Sequence, residues 1–456
     1  MDDIELLNII SRWNFWGAEI DVGIKRQTYS NRIKELLDGN NNIVAETGIR
    51  RCGKSFIAKQ VAKLFISEGY GKENVLIINL EDERFLERDY RLLLNIFDVY
   101  KKEVKPTRRP LIIIDEAQEV SGWERFVRGM GERNEALFII TGSSSALLSS
   151  EYSTLLSGRH IAINIMPLSF PEFAKFKGLS VDTRLETAKN LDGLRHLFDE
   201  YLHYGGMPAV ELSENKEDLL SSYFNTVLLK DIAERYRIRD MEKLRFLAKF
   251  YLTNISSSIT FTRISKATKG ERAKGIPVKT VQRFSDYLAS SYLFFFVKRF
   301  SFSIKDQENS PRKVYAVDNG FASAIGFNFM DIRGRLLENV VACELLRMTH
   351  RNGRVEVYYW KSKASRREVD FVLKEGNAIT LIQVAYNPSN LETRDREIKG
   401  ITECAKALRV KKGTIITYNY RASETVGEVK INYVPIVEWI LEYELSEGTL
   451  EGNHAA

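Results

Sequence analysis

The sequence is short of nearly everything that marks a secreted, membrane-spanning or metal-stabilised protein. Of its 456 residues only three are cysteine (Cys52, Cys343 and Cys404) and only five are histidine. They lie too far apart for a zinc-ligand spacing or a disulfide framework, so the cysteines are expected to be reduced structural thiols. No apolar run approaches the ~20 residues a membrane span needs; the longest, such as PLIIIDEA and ASSYLFFFVKRF, are soon broken by charge. The N-terminus, MDDIELLNII, is acidic where an export signal would be basic. A cytoplasmic protein with no membrane partner is expected. Charge of one sign is scarce too. A net charge of +6 permits nucleic acid as a partner without demanding it. What remains, 44% apolar and 28% charged residues, is the composition of a globular protein. A chain of this length divides into roughly two to four domains.

The richest stretch is ETGIRRCGKSF, residues 46–56. Gly48, Gly53, Lys54 and Ser55 meet the pattern G-x-x-x-x-G-K-[ST] in full. Its glycines let backbone N–H groups converge on phosphate, and the following helix N-terminus adds its positive end. The loop from Gly48 through Ile49, Arg50, Arg51, Cys52 and Gly53 to Lys54, Ser55 and Phe56 is therefore the expected nucleotide cradle. Lys54 is expected to neutralise the β- and γ-phosphates, and Ser55 to hold Mg²⁺. The context fits: NNIVAET reads as a strand before the loop, and SFIAKQVAKLFISEG as an apolar-periodic helix after it. RRPLIIIDEAQEV then gives a buried strand ending in Asp115 and Glu116. Asp115 is expected to assist the metal and Glu116 to activate the attacking water. Further strands are read in NVLIINL (74–80), ALFIITG (136–142) and HIAINIMPL (160–168), which makes a parallel sheet covered on both faces. Ser143 or Thr141 after the fourth strand is placed to sense the γ-phosphate, as is Arg159 before the fifth.

These motifs resemble the AAA-plus ATPases, specifically the archaeal and bacterial group whose loop reads G-x-R-R-x-G-K-S and whose second motif reads D-E-x-Q. That group is similar to the signal-transducing and origin-recognition-type ATPases. The resemblance extends over nearly the whole sequence. It implies an α/β fold: a P-loop ATPase core (1–170) and a helical lid (171–240). A winged-helix domain (241–305), a C-terminal α/β domain related to PD-(D/E)XK nucleases (306–445) and a tail (446–456) follow. It implies ATP and Mg²⁺ as cofactors, and a lid turn, YLHYGGMPAVE, whose residues from His203 to Pro208 lie against the nucleotide. In AAA-plus proteins the arginine before the fifth strand often acts on a neighbouring subunit's nucleotide. Carried onto Arg159 this implies a homo-oligomer, although some relatives use such an arginine within one chain.

Two features bear on the C-terminal half. Lys266, Lys269, Arg272, Lys274, Lys279 and Arg283 cluster around the second helix of the expected winged-helix domain, which suits contact with DNA phosphates. In the nuclease-like segment Glu338 and Asp370 match the first two metal-binding positions of that fold. Gln383 and Ala385 stand where a carboxylate and a lysine belong. An amide is a poor Mg²⁺ ligand, and alanine can neither orient water nor stabilise developing charge. Nuclease activity is not expected; a binding module is. The chain reads as an ATPase coupling nucleotide state to its C-terminal modules. The alternative is a nucleotide-gated adaptor with negligible turnover.

Overall fold

The computed structural model describes residues 2–39, 42–142, 160–179, 181, 183–268, 275–327 and 332–442. Contacts divide it into two compact units, Met1–Met166 and Pro167–Ala456.

In the first unit β1 (Ile43–Thr47), β2 (Val75–Asn79), β3 (Leu111–Asp115), β4 (Leu137–Thr141) and β5 (His160–Asn164) form one sheet in the order β2-β3-β4-β1-β5. Every pairing is parallel. Strands of a parallel sheet are buried on both faces, which is why they are written as unbroken apolar runs such as LIII and LFII. One face packs Leu76, Ile78, Ile112, Ile114, Phe138 and Ile140 against Tyr100, Trp123 and Phe126 of the covering helices. The β2 edge is closed by side chains, not by another strand. Asn14 donates to Ile77 O at 2.8 Å and accepts from Ile77 N at 2.6 Å, and the Trp16 indole donates to Val75 O at 3.0 Å. An unpaired edge is a template for aggregation, and this amide removes it.

The second unit begins with helices that include Phe170–Phe176, Leu191–Tyr204, Lys216–Thr226 and Met241–Thr253. The first is fixed by a capping box between Ser169 and Glu172. There follow β6 (Ser257–Ile259), helices Phe261–Ala267 and Val278–Ser290, β7 (Phe294–Arg299) and β8 (Arg312–Ala316). After helices Asn319–Ile325 and Arg333–Arg351 come β9 (Val355–Lys361), β10 (Glu368–Glu375), β11 (Ala378–Ala385), helix Leu391–Leu408, β12 (Lys412–Thr417), β13 (Ala422–Val426) and β14 (Val429–Pro435). All nine strands share one sheet, β13-β14-β12-β11-β10-β9-β7-β8-β6. A short parallel pairing of Lys298 and Arg299 in β7 with Tyr358 and Tyr359 in β9 joins its two halves. The sheet therefore runs across residue 305. Among the described residues no helix is long and apolar enough to cross a membrane.

Candidate functional site

β1 delivers the chain to the phosphate loop at the C-terminal edge of the first sheet, where parallel α/β sheets bind ligands. Gly48 has φ +141°, and a Cβ there would sit 2.1 Å from Ile165 O, so no larger residue fits. Gly53 (φ +103°) and Arg51 (φ +69°) are also left-handed, which curls the loop before the helix Lys54–Ser67 begins. Behind the loop lies Arg26, a buried residue that motif reading missed. Its guanidinium donates to Cys52 O at 2.9 Å and to Met166 O at 3.0 Å, and its backbone N–H donates to the Gln60 side chain. Cys52 is fully buried. Lys54 is buried as well, its ammonium donating to Gly48 O at 3.0 Å and Ile49 O at 3.1 Å. Arg50 reaches Glu81, while Phe56 is 43% exposed on the outer side of the helix.

The sequence-predicted metal and water groups converge beside this loop. The hydroxyls of Ser55 (2.8 Å) and Thr141 (2.5 Å) both donate to Asp115 Oδ1. Thr141 in turn accepts the Glu116 N–H at 3.1 Å. Glu116 is held in the left-handed region at φ +54°, and its Oε2 accepts from the Gln118 amide at 2.5 Å. The final glutamine of D-E-x-Q thus aims the glutamate, a role the motif alone did not assign. Burial raises the pKa of Asp115, while the hydrogen bonds from Thr141 and Ser55 work the other way. Ser143 and Arg159 lie outside the described residues.

Pro208 opens a short helix of the second unit. The Gly205-Gly206 turn before it is locked onto Asp318: the Gly206 N–H donates to Asp318 Oδ2 at 2.7 Å. A Cβ on Gly205 (φ +75°) would collide with that carboxylate. Lys266, Lys279 and Arg283 are exposed on helices Phe261–Ala267 and Val278–Ser290; Lys269, Arg272 and Lys274 lie outside the described residues.

A second charged cluster lines a cavity of about 430 Å³ in the C-terminal sheet. Glu338 and Asp370 do meet there, joined by Glu368. Between them sits Lys313 of β8, its ammonium 3.0 Å from Glu338, 2.8 Å from Glu368 and 2.7 Å from Asp370. Gln383 turns its amide to Glu397 at 2.6 Å and accepts the Asp370 N–H at 3.0 Å, so it orders the acids. Ala385 packs in the apolar core with Val369 and Ile401. The lysine missing from β11 therefore has a counterpart on β8, far away in sequence. Burial alone would depress the Lys313 pKa, but the charges of Asp370, Glu338 and Glu368 outweigh it and hold it well above the ordinary lysine value. Three carboxylates share one ammonium, and the excess falls on Glu338, whose carboxyl burial and Asp370 push up. Among the described residues no group of three or more His, Cys, Asp or Glu is arranged to hold a metal.

Comparison with known proteins divides the chain into three matched segments. An AAA domain matches residues 40–174, and two domains of unknown function, DUF8612 and DUF4143, match 195–331 and 333–439. The chain is 32% identical over 431 residues to the uncharacterized protein MJ1544 of Methanocaldococcus jannaschii, covering 92% of each. The chain belongs to the same family. A second member, an uncharacterized protein of Haemophilus influenzae, is 30% identical over 432 residues, covering 92% of this chain and 99% of that one. The first unit of this family member is an AAA domain of the P-loop ATPase class. Among solved structures the chain is similar to the Walker-type ATPase PABY2304 of Pyrococcus abyssi. That likeness is distant: 15% identity and a TM-score of 0.39, covering 66% of this chain and 95% of that one.

Proposed function

We propose that the first unit binds ATP with Mg²⁺ and hydrolyses it, and that the nucleotide state is coupled to the C-terminal modules. The observation that carries this is the linked chain Ser55–Asp115–Thr141–Glu116–Gln118 beside the phosphate loop. The donor set fits the cation: Mg²⁺ favours hard oxygen ligands, and Ser55 and Asp115 offer a hydroxyl and a carboxylate already in contact. A bound Mg²⁺ supplies charge neutralisation at the phosphates. Lys54, now resting on loop carbonyls, adds a second counter-charge, and Glu116 orients and accepts a proton from water. Phosphoryl transfer asks for little more than such positioning and charge. Ser143 and Arg159 are assigned to the γ-phosphate by their places beside the fourth and fifth strands, and the resemblance makes Arg159 the ground for a homo-oligomer. Pro208 is assigned to the lid on the same basis.

For the second unit we read residues 241–305, with β8 beyond them, as a winged helix, because the order helix, β6, helix, helix, β7, β8 suits that plan. Exposed Lys266, Lys279 and Arg283 would then contact a DNA backbone. The nuclease-like segment is read as a binding module. The rival reading, a nucleotide-gated adaptor, is favoured by one observation: the Lys313-filled acid cluster leaves that segment no evident chemistry. Multiple-turnover ATP hydrolysis, with and without duplex DNA, separates the two. Sustained turnover that Glu116→Gln abolishes supports the ATPase; tight nucleotide binding without turnover supports the adaptor.

A further inference from the structure

Glu46, the penultimate residue of β1, is fully buried, and neither of its carboxyl oxygens has a hydrogen-bond partner. Such a group is costly unless it is satisfied. Nothing about β1 requires it: Ile43, Val44 and Ala45 are apolar, and an aliphatic side chain at 46 would pack in the same strand without that cost. The position is informative. Glu46 is in register with Thr141 of β4, and Ile140 of β4 with Ile114 of β3. Glu46, Thr141 and Asp115 therefore fall in one row across the C-terminal edge of the sheet. In-register neighbours project from the same face, here the face on which Ser55 meets Asp115. Burial raises the Glu46 pKa and so does the Asp115 charge, while the Lys54 and Arg26 charges oppose them.

We propose that Glu46 is a further positioning residue of the nucleotide site, its carboxylate accepting hydrogen bonds from the water shell of a divalent cation held at Ser55 and Asp115. The inference rests on the Mg²⁺-nucleotide reading above but adds a residue that no part of the phosphate-loop or D-E-x-Q pattern includes. Its neighbours suit the role. Asp115 Oδ1 accepts from two hydroxyls, and the Thr141 that supplies one of them is the in-register neighbour of Glu46. Glu46 is the buried carboxyl of β1 with both oxygens unspent.

The test uses the full chain and two ligands in turn. ADP affinity is measured by fluorescent-analogue titration in EDTA, and Mn²⁺ affinity of the ADP complex by electron paramagnetic resonance of the free ion. Glu46→Gln keeps the shape and removes the charge. Its ADP affinity in EDTA should match the parent's, because the amide keeps the shape of the strand and leaves the phosphate loop untouched. Its Mn²⁺ affinity should fall by about tenfold, the low end of what loss of an outer-shell partner costs. Glu46→Asp, which keeps the charge, should fall between the two and guards against a Gln variant that folds poorly. Parent-like Mn²⁺ binding in Glu46→Gln would overturn the proposal. So would an equal loss in both arms, since that marks a packing effect. If the parent itself binds no nucleotide, the Mg²⁺-nucleotide reading fails first and takes this with it.

Discussion

Two clusters of buried and half-buried carboxylates lie in this chain, one beside each sheet, and they solve the same electrostatic problem in opposite ways. At the first, Asp115 accepts from two hydroxyls and Glu116 from one amide, Glu46 has no hydrogen-bond partner, and Lys54 is turned aside onto loop carbonyls. At the second, Glu338, Glu368 and Asp370 close around an ammonium of the chain itself. On the proposed reading, the first cluster, which lacks a cation of its own, receives one with the nucleotide. A cluster that carries its own cation is complete, and a divalent ion would have to displace a lysine that the same charges hold protonated. The contrast teaches that counting acids does not locate a metal site; the whereabouts of the nearest lysine decides.

The sharpest way to break the comparison is to remove the internal cation. Lys313→Met leaves Asp370 and Glu338 without their ammonium while Glu368 keeps Lys361, and loss of one partner of a buried ion pair costs about 3–5 kcal/mol. Denaturant unfolding at pH 8 should show a loss of that size. The sign of the pH effect is fixed by Glu338, whose carboxyl is pushed up to about 8 by burial first and by Asp370 next. An acid with a raised folded pKa stabilises fully below its unfolded value and loses that contribution as pH rises. In the variant, without the opposing ammonium, more of the cluster follows this pattern, so the gap to the parent should narrow between pH 8 and pH 5. An equal gap at both would mean that Lys313 contributes packing alone. With Mg²⁺ or Mn²⁺ the parent protein should leave duplex DNA uncut; cleavage that Asp370→Ala abolishes would show that the second cluster is chemically active after all.

At the first cluster the two central substitutions should part company. Lys54→Ala removes a phosphate counter-charge and should abolish nucleotide binding in a titration. Glu116→Gln removes only the group that activates water: binding should persist, while turnover falls by something like the 10²–10⁴-fold of general-base loss. Normal hydrolysis in Glu116→Gln would take that residue out of its assigned role.

How legible the two clusters were in the sequence follows from the range of their contacts. The phosphate loop is eleven consecutive residues whose spacing is itself the signal, and Asp115-Glu116 ends an apolar run that can only be a buried strand. The parallel sheet was readable for the same reason. Lys313, Glu338 and Asp370 come from a strand, a helix and another strand, and no local pattern joins them. Lys313 follows Arg312 at the head of the apolar VYAV stretch, where the sequence reads as a charged strand entrance, and only the structure buries it. Arg26 is hidden likewise, in a segment with no motif at all. Arg26→Met should leave the carbonyls of Cys52 and Met166 without their donor, costing about 2 kcal/mol, and should loosen ADP binding through the loop. Denaturant unfolding and the same titration measure both; unchanged ADP affinity would confine Arg26 to a scaffold role.

The smallest expected effect is the most discriminating about how Glu116 works. Gln118 donates to Glu116 Oε2 while the Glu116 backbone sits at φ +54°, so the carboxylate is aimed by its own strained backbone and by one amide. Gln118→Ala removes the amide and leaves the backbone. A hydrogen bond to a charged group is worth about 1.5–3 kcal/mol, and the half-buried site admits water to replace part of it. The expected result is a fall in kcat of roughly tenfold, with KM for ATP and the melting temperature near the parent's. A structural role would move the melting temperature, and a binding role would move KM. If kcat is unchanged, the left-handed backbone and the Thr141 contact to the Glu116 N–H hold the carboxylate by themselves, and the glutamine of D-E-x-Q serves some purpose other than aiming it.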